Sequence, residues 1–121
     1  MSSDAPTLIK GEILFCAKLN SFSGATVNVY LEDVSFLDAP AKIVAKQVIS
    51  HVAHEMGTEN RVKFALIGEI ADIRARYSLR VHTALSGNEQ IQRGDYISME
   101  SYPVLTFGHP HQVTIRVQEV K

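Results

Sequence analysis

The fold is indicated most directly by the stretch Thr26-Val27-Asn28-Val29-Tyr30-Leu31-Glu32-Asp33-Val34. Its apolar residues Val27, Val29 and Leu31 occupy every second position, and residues with polar groups stand between them. Successive side chains of a β-strand point to opposite faces of a sheet, so this alternation predicts a strand with one face in a hydrophobic core. It is the clearest strand signal in the chain.

The same alternation recurs on both sides of this stretch, and segments rich in Gly, Pro, Asn, Asp and Ser separate the repeats. Such segments are typical of turns. The alternation predicts clear strands at 61–66, 77–82 and 113–118. It predicts weaker strands at 8–15 and 96–105.

The stretch 41–56 fits two structures. As a helix it would gather Val44, Val48 and His51 on one face. Its many β-branched residues, however, are crowded in a helix and favour a pleated strand. We therefore predict a strand through residue 49 followed by a loop, and a single helical turn at 70–75.

These elements predict an all-β domain, a single antiparallel β-sandwich of about seven strands, immunoglobulin-like or transthyretin-like. Strands with one polar face are typical of antiparallel sheets that share a core. A true antibody-like domain is excluded because the chain has a single cysteine and no tryptophan. We expect residues 1–7 to be a flexible N-terminal tether and residues 8–121 to form the domain.

The composition excludes several classes of function. The 121 residues include 12 Lys and Arg against 13 Asp and Glu, so the chain lacks the basic excess with which proteins bind nucleic acids. Its one cysteine, Cys16, cannot form an intramolecular disulfide and is expected to be a small buried hydrophobe. The glycine-rich strings that bind phosphates or dinucleotides are absent, so no cofactor is expected. No apolar run approaches the roughly 20 residues of a membrane-spanning helix.

The histidines are the residues most able to carry chemistry. His51 and His54 precede Glu55, and imidazole and carboxylate groups are zinc ligands. Zinc-binding strings on helices place the glutamate inside the histidine pair, whereas Glu55 lies outside it. Solvated loop histidines are therefore favoured over a metal site, and a zinc titration would decide between them. No nucleophile stands in a motif that supplies its base, so we predict no catalytic residues.

The most distinctive string is Tyr102-Pro103-Val104-Leu105-Thr106-Phe107-Gly108-His109-Pro110. Pro103 has no amide hydrogen to donate, so it belongs at a sheet edge or a bulge. Tyr102 could be an ordinary packed aromatic residue. Alternatively, an exposed edge at Tyr102, Pro103, Val104 and Leu105 could accept a strand from a partner, and these residues are the predicted partner-binding site.

Three strings together resemble the YbaY/YscW family of small bacterial lipoproteins. They are Val29-Tyr30-Leu31-Glu32-Asp33-Val34-Ser35-Phe36-Leu37-Asp38-Ala39-Pro40-Ala41-Lys42-Ile43-Val44-Ala45-Lys46-Gln47, Arg76-Tyr77-Ser78-Leu79-Arg80-Val81, and Tyr102-Pro103-Val104-Leu105-Thr106-Phe107-Gly108. The resemblance extends from about Gly11 to Val120. Two features differ from the family pattern: the lipid-bearing cysteine is missing from Met1-Ser2-Ser3-Asp4, and the connection at 51–60 is longer and more polar than expected.

The resemblance implies a β-sandwich of the Gram-negative cell envelope. One branch of the family resembles type III secretion pilotins, which are lipoproteins that chaperone the outer-membrane secretin ring. It implies a non-enzymatic binding or chaperone module whose partner is an envelope protein such as a secretin. The module would contact a membrane only through a lipid tether, which is absent from this chain. We expect a monomer or weak dimer. The alternatives are a small metal-binding or hydrolytic enzyme using His51, His54 and Glu55, and a purely structural envelope protein.

The same resemblance gives an expected location. A cropped mature form would lie in the cell envelope, at the periplasmic face of the outer membrane. A chain that is native as written would be cytoplasmic, because Met1-Ser2-Ser3-Asp4-Ala5-Pro6 lacks the basic start and apolar middle of a signal peptide.

Overall fold

A computed structural model describes residues 6–36, 38–69 and 72–121, and over these ranges the protein is all-β. No helix within them is long and apolar enough to cross a membrane. The strands are β1 Pro6–Phe15, β2 Phe22–Asp33, β3 Lys42–His54, β4 Asn60–Glu69, β5 Tyr77–Ala84, β6 Tyr96–Ser98, β7 Tyr102–Val104 and β8 Gln112–Glu119. The predicted all-β class is confirmed.

The strands form one continuous sheet in the order β3-β2-β5-β6-β8-β1-β4, and β7 pairs with β5 beside β6. The prediction of two separate antiparallel sheets is corrected in two respects. First, β8 pairs with β6 through residues 117–119 and with β1 through residues 112–116, so it joins what would have been two sheets. Second, β1 and β8 run parallel. The right-handed twist of long strands curls such a sheet towards a barrel.

The barrel is nearly closed, because the two ends of the strand order, β3 and β4, lie side by side. The Ala65 amide of β4 donates to Oε1 of Gln47 in β3 at 2.8 Å. Nearer the connecting turn, Nδ1 of His54 lies 2.7 Å from Oδ1 of Asn60. No ladder joins the two strands within the described residues. We call the line between residues 42–50 of β3 and 63–69 of β4 the β3–β4 seam.

The hydrophobic core lies inside the curled sheet. The alternate residues that predicted the strands point inwards and are fully or almost fully buried, among them Ile9, Ile13, Phe15, Val27, Val29, Leu31, Leu79, Val81 and Ile115. Each large apolar side chain buried in this way stabilises the fold by roughly 1.5–3 kcal/mol. Gly11 permits the close approach of β1 to β8, since a β-carbon there would lie 2.0 Å from the carbonyl oxygen of Val113.

The strand predictions at 61–66, 77–82 and 113–118 are confirmed, and each strand extends beyond the predicted bounds. Strand also replaces helix across 41–56, as predicted, but β3 continues to His54, so the loop expected after residue 49 is wrong. The extension follows from pairing, because Val52 and His54 lie opposite Ala25 and Phe22 of β2.

Two other expectations change. The single strand predicted at 96–105 is divided into β6 and β7, because Ser98 pairs with β8 whereas Tyr102 pairs with β5. Of the helical turn predicted at 70–75, residues 70–71 lie outside the described ranges, and the rest is a turn closed by a 3.0 Å hydrogen bond from the Ala75 amide to the Asp72 carbonyl. β1 begins at Pro6, before the expected boundary at residue 8, and residues 1–5 of the predicted tether lie outside the described ranges.

Candidate partner-binding surfaces

The predicted partner-binding residues occupy β7 and the residue after it, and most of them face the core. Tyr102, Val104 and Leu105 are buried, and only Pro103 is exposed. Tyr102 lies opposite Leu79, which also points inwards. Its hydroxyl accepts a 2.9 Å hydrogen bond from the backbone amide of Arg116. The structure therefore leaves Pro103 and the strand edge, rather than the other three side chains, accessible to a partner.

The loop after β7 is held in a strained conformation. Leu105 and Phe107 have φ angles of 72° and 56°, in the left-handed region that L-residues rarely adopt. Between them, Thr106 is buried and its hydroxyl donates to the Ala75 carbonyl at 2.6 Å. Left-handed residues of this kind cost free energy and persist where the surrounding structure fixes them. Here they turn Leu105 into the core and leave Phe107 in solvent.

The histidines of the proposed metal site do not share one environment. His51 is exposed, with a φ of 60°, and Glu55 is exposed, whereas His54 is buried beside the rings of Phe15 and Phe22. Both ring nitrogens of His54 lie near oxygen atoms, Nδ1 near Asn60 Oδ1 and Nε2 at 3.1 Å from the Leu19 carbonyl. A metal ion would have to displace one of these contacts.

No group of three His, Cys, Asp or Glu side chains in the described part of the chain is close enough to hold a metal ion. His54 instead ties the end of β3 to two turns. The metal hypothesis for His51, His54 and Glu55 keeps the zinc titration as its test.

The β3–β4 seam has a rim of exposed apolar side chains. Ile43 and Val48 of β3 are 50% and 52% exposed, and Ile67 of β4 is 65% exposed. Val48 lies opposite Asn28, which points to the outside of the barrel, so Val48 points there too. Val44, 42% exposed, is the extra residue where the pairing with β2 shifts between Leu31 and Glu32. Apolar side chains clustered beside an open strand edge are unusual and mark interaction surfaces.

The seam also contains backbone groups that pair with neither neighbouring strand. The Ala65 amide points across the seam to Gln47, away from β1. N–H and C=O groups alternate in direction along a strand, and the β1–β4 pairing continues without a register shift from Pro6–Glu69 to Phe15–Asn60. The backbone groups of Lys63 and Ile67 therefore also point into the seam. An extended segment laid there could form strand hydrogen bonds.

A surface depression of about 480 Å³ lies beside the middle of the seam. Its lining mixes backbone, amide and charged groups, from Lys10, Gly11, Glu12, Gln47, Lys63, Phe64, Ala65 and Gln112. Glu12 is partly engaged, because Arg61 Nη1 lies 2.9 Å from one of its carboxylate oxygens. The lining offers contacts to backbone and polar groups, while the rim offers apolar contacts.

A buried His82–Asp95 pair was missed by the sequence analysis. Nε2 of His82 lies 2.8 Å from Oδ2 of Asp95, and both side chains are almost wholly buried. Asp95 also accepts hydrogen bonds from the amides of Leu85 at 3.1 Å and Gln92 at 3.0 Å. Burial alone would raise the pKa of Asp95, but these hydrogen bonds outweigh it and hold the pKa below its ordinary value.

The other ring nitrogen of His82, Nδ1, is buried without a hydrogen-bond partner among the described residues. The carboxylate of Asp95 can only accept a hydrogen bond, so Nε2 of His82 carries the proton that it donates to Asp95. The pair fastens the β5–β6 loop to the barrel. It is a structural element, since neither group reaches the surface.

The chain is similar to known secretion proteins in sequence and in structure. A family model described as type III secretion system lipoprotein chaperone (YscW) matches residues 5–117. The structure of an alternative pilotin from the type II secretion system of Vibrio cholerae is similar, with a TM-score of 0.75 and 26% sequence identity over 96% of this chain and 98% of that chain. A comparison with curated protein sequences gave no match.

Proposed function

Since the chain belongs to the YscW family of type III secretion system lipoprotein chaperones, we propose that it is a pilotin-like chaperone that binds an extended segment of a secretin-class envelope protein along the β3–β4 seam. A chaperone acts by binding a partner rather than by transforming a substrate. The surface that matters is therefore one that stays accessible in the folded domain and offers both apolar and backbone contacts.

The observation that carries this proposal is the open strand edge with its apolar rim. A segment added to β3 or β4 would satisfy the backbone groups that point into the seam, as in other complexes formed by strand addition. Its side chains would cover Ile43, Val48 and Ile67, which the domain itself leaves exposed. The Gln47–Ala65 bridge is a single hydrogen bond in mid-seam, so opening it costs only about 1 kcal/mol.

The edge of β7 is the second candidate surface. Pro103 is exposed there, next to a depression of about 330 Å³ that Ser101 and Phe107 also line. Two features favour the seam. Its edge is longer and exposes several apolar side chains among polar ones, whereas β7 has three residues and buries two of them. In either case we propose an envelope location, attachment to the membrane through a lipid tether, and a monomer or weak dimer.

The proposal is tested by capturing partners from an envelope extract of a secreting bacterium and identifying them by mass spectrometry. The bait is the intact chain or the variant Val44→Lys/Val48→Lys. Recovery of a secretin-class protein should fall at least about tenfold in the variant, because each lysine places a charge where the bound segment excludes water. Met99→Lys is the matched control, since Met99 is 52% exposed in the β6–β7 turn, and the strand order places β2 and β5 between that turn and β3, and β8 and β1 between it and β4.

Each outcome of this capture experiment assigns or removes a surface. Equal recovery by the seam variant and the control would reject the seam. Loss with Pro103→Lys, and not with the seam variant, would place the partner on β7. Failure of the intact chain to recover any secretin-class protein would count against the proposed partner itself.

A further inference from the structure

We infer that one end of the barrel, formed by three loops, rests on the surface of a phospholipid bilayer. This loop tip consists of the described residues 34–36, 38–41, 72–76 and 105–111. The inference goes beyond the proposed chaperone function, on which it rests for the lipid tether. It concerns a second surface, separate from the one that binds the partner.

The strand pairings bring these loops together at one end of the barrel. The end of β2 lies opposite the start of β5 at Asp33–Tyr77. The start of β1 lies opposite the end of β4 at Pro6–Glu69. The start of β8 at Gln112 lies beside Lys10 of β1. The loops after β2, β4 and β7, and the point where the chain enters β1, therefore share one end.

In the described part of each of the three loops, one large apolar side chain faces solvent. Phe36 is 74% exposed, Ile73 is 70% exposed and Phe107 is 59% exposed. The strained backbone of the last loop holds Phe107 outwards, and the guanidinium of Arg76 lies 5.5 Å from the centre of its ring. The rest of the domain covers each of these side chains only in part, so they can insert into an apolar medium.

The charges of the loop tip balance. Its described residues include the arginines Arg74 and Arg76 and the aspartates Asp38 and Asp72. One of each is paired, since Nε of Arg74 lies 3.3 Å from Oδ1 of Asp72. A tip without a net charge does not bind through attraction to anionic lipids. Its contact with a bilayer would come from the three apolar side chains, as in shallow interfacial insertion.

The direction of the chain identifies a bilayer as the occupant. The chain enters β1 at Pro6 from this end, so a lipid tether on the N-terminal side of β1, as in a lipoprotein chaperone, would hold this end of the barrel towards the membrane. Shallow insertion of the tip would add to that tether and fix the orientation of the domain. The turn at residues 55–59 would then face away from the bilayer, and the β3–β4 seam, which runs between the two ends, would stay open to a partner.

The absence of tryptophan from the chain allows a clean test. We would place one reporter at the tip, Phe107→Trp, and a matched one at the opposite end, Met56→Trp, since Met56 is 51% exposed in the β3–β4 turn. Each full-length reporter variant is titrated with phosphatidylcholine vesicles up to millimolar lipid. Such concentrations are needed because three side chains bind a bilayer more weakly than one attached lipid chain does. Emission wavelength and quenching by brominated lipid report insertion.

The inference predicts a blue shift and quenching for Phe107→Trp and none for Met56→Trp. Adding Phe36→Ser to the tip reporter should weaken partitioning roughly threefold to tenfold, since one apolar contact is lost. The binding should be the same at low and high salt and with added phosphatidylglycerol. No shift at the highest lipid concentration, or equal shifts for both reporters, would overturn the inference.

The outcomes also separate this inference from the proposed function. The Phe36→Ser/Phe107→Asn variant, with asparagine chosen because it tolerates a left-handed backbone, should still capture the secretin-class protein. If that variant loses capture while the tip reporter Phe107→Trp does not respond to vesicles, the tip is a protein-binding surface and the bilayer inference is wrong. If capture fails for every form while the tip reporter shifts, only the proposed partner is wrong.

Discussion

Replacing Asp95 with asparagine should destabilise the domain more than any single change on its surface. The carboxylate is almost wholly buried and accepts hydrogen bonds from the His82 ring and from the amides of Leu85 and Gln92. Asparagine offers one oxygen in place of two, and its NH₂ group would face a donor. At least one hydrogen bond is lost and the others lose their charge assistance.

The magnitude follows from those contacts. A hydrogen bond to a charged group contributes roughly 1.5–3 kcal/mol, and a donor left unpaired in the interior adds a penalty of similar size. We therefore expect the free energy of unfolding to fall by about 2–4 kcal/mol. For a domain of this size each kcal/mol lowers the melting temperature by roughly 3–6 °C, so the expected loss is about 6–24 °C.

Urea unfolding followed by circular dichroism measures this difference. Glu89→Gln is the matched control, because Glu89 lies in the same loop but is 81% exposed and forms only a 3.4 Å contact with Lys46. Exposed ion pairs contribute about 0–1 kcal/mol. A loss for Asp95→Asn no larger than that of the control would refute the argument that this pair fastens the loop to the barrel.

Three further predictions follow from the packing. The pKa of Asp95 is lower in the folded state than its unfolded value of about 3.9, so the carboxylate stabilises the fold above that pH and loses this contribution as the pH falls through the folded pKa. In urea titrations below about pH 4, the intact chain should therefore lose stability more steeply than Asp95→Asn. Tyr102→Phe should cost about 1 kcal/mol by removing the acceptor of one backbone amide, and an unchanged urea midpoint would contradict that role. Gly11→Ala should abolish or strongly reduce folding, because the new β-carbon meets the Val113 carbonyl; a variant that melts within a few degrees of the intact chain would show that β1 and β8 can separate.

Much of the secondary structure could be predicted from the sequence, because alternation is a local property of a strand. Val27, Val29 and Leu31 are buried on the face that their spacing predicted. The closure of the sheet could not be predicted in the same way. It depends on β8, whose residues 112–116 and 117–119 pair with different strands, and no local pattern within β8 marks that change of partner.

The candidate surfaces were harder to predict, for a related reason. Pro103 was correctly expected at an edge, but the face that Tyr102 presents is set by Leu79, its neighbour across the strand pair. The apolar residues of β3 were expected to form a strand, yet nothing local to that strand indicates that Val48 stays exposed. That exposure depends on the pairing with β2, which places Val48 opposite Asn28 on the outer face of the barrel. Likewise, the hydrogen bond between His82 and Asp95 forms only when the β5–β6 loop folds back.

The central claim, that the β3–β4 seam binds a secretin-class protein, is tested most directly by site-specific photo-crosslinking in an envelope extract. A benzophenone amino acid replaces Val48 in one variant and Met99 in another, two positions that are both 52% exposed. Binding along the seam predicts a crosslinked product with a secretin-class protein from position 48 and none from position 99, which lies in the turn between β6 and β7. A product from position 99 alone, or from neither position, would contradict it.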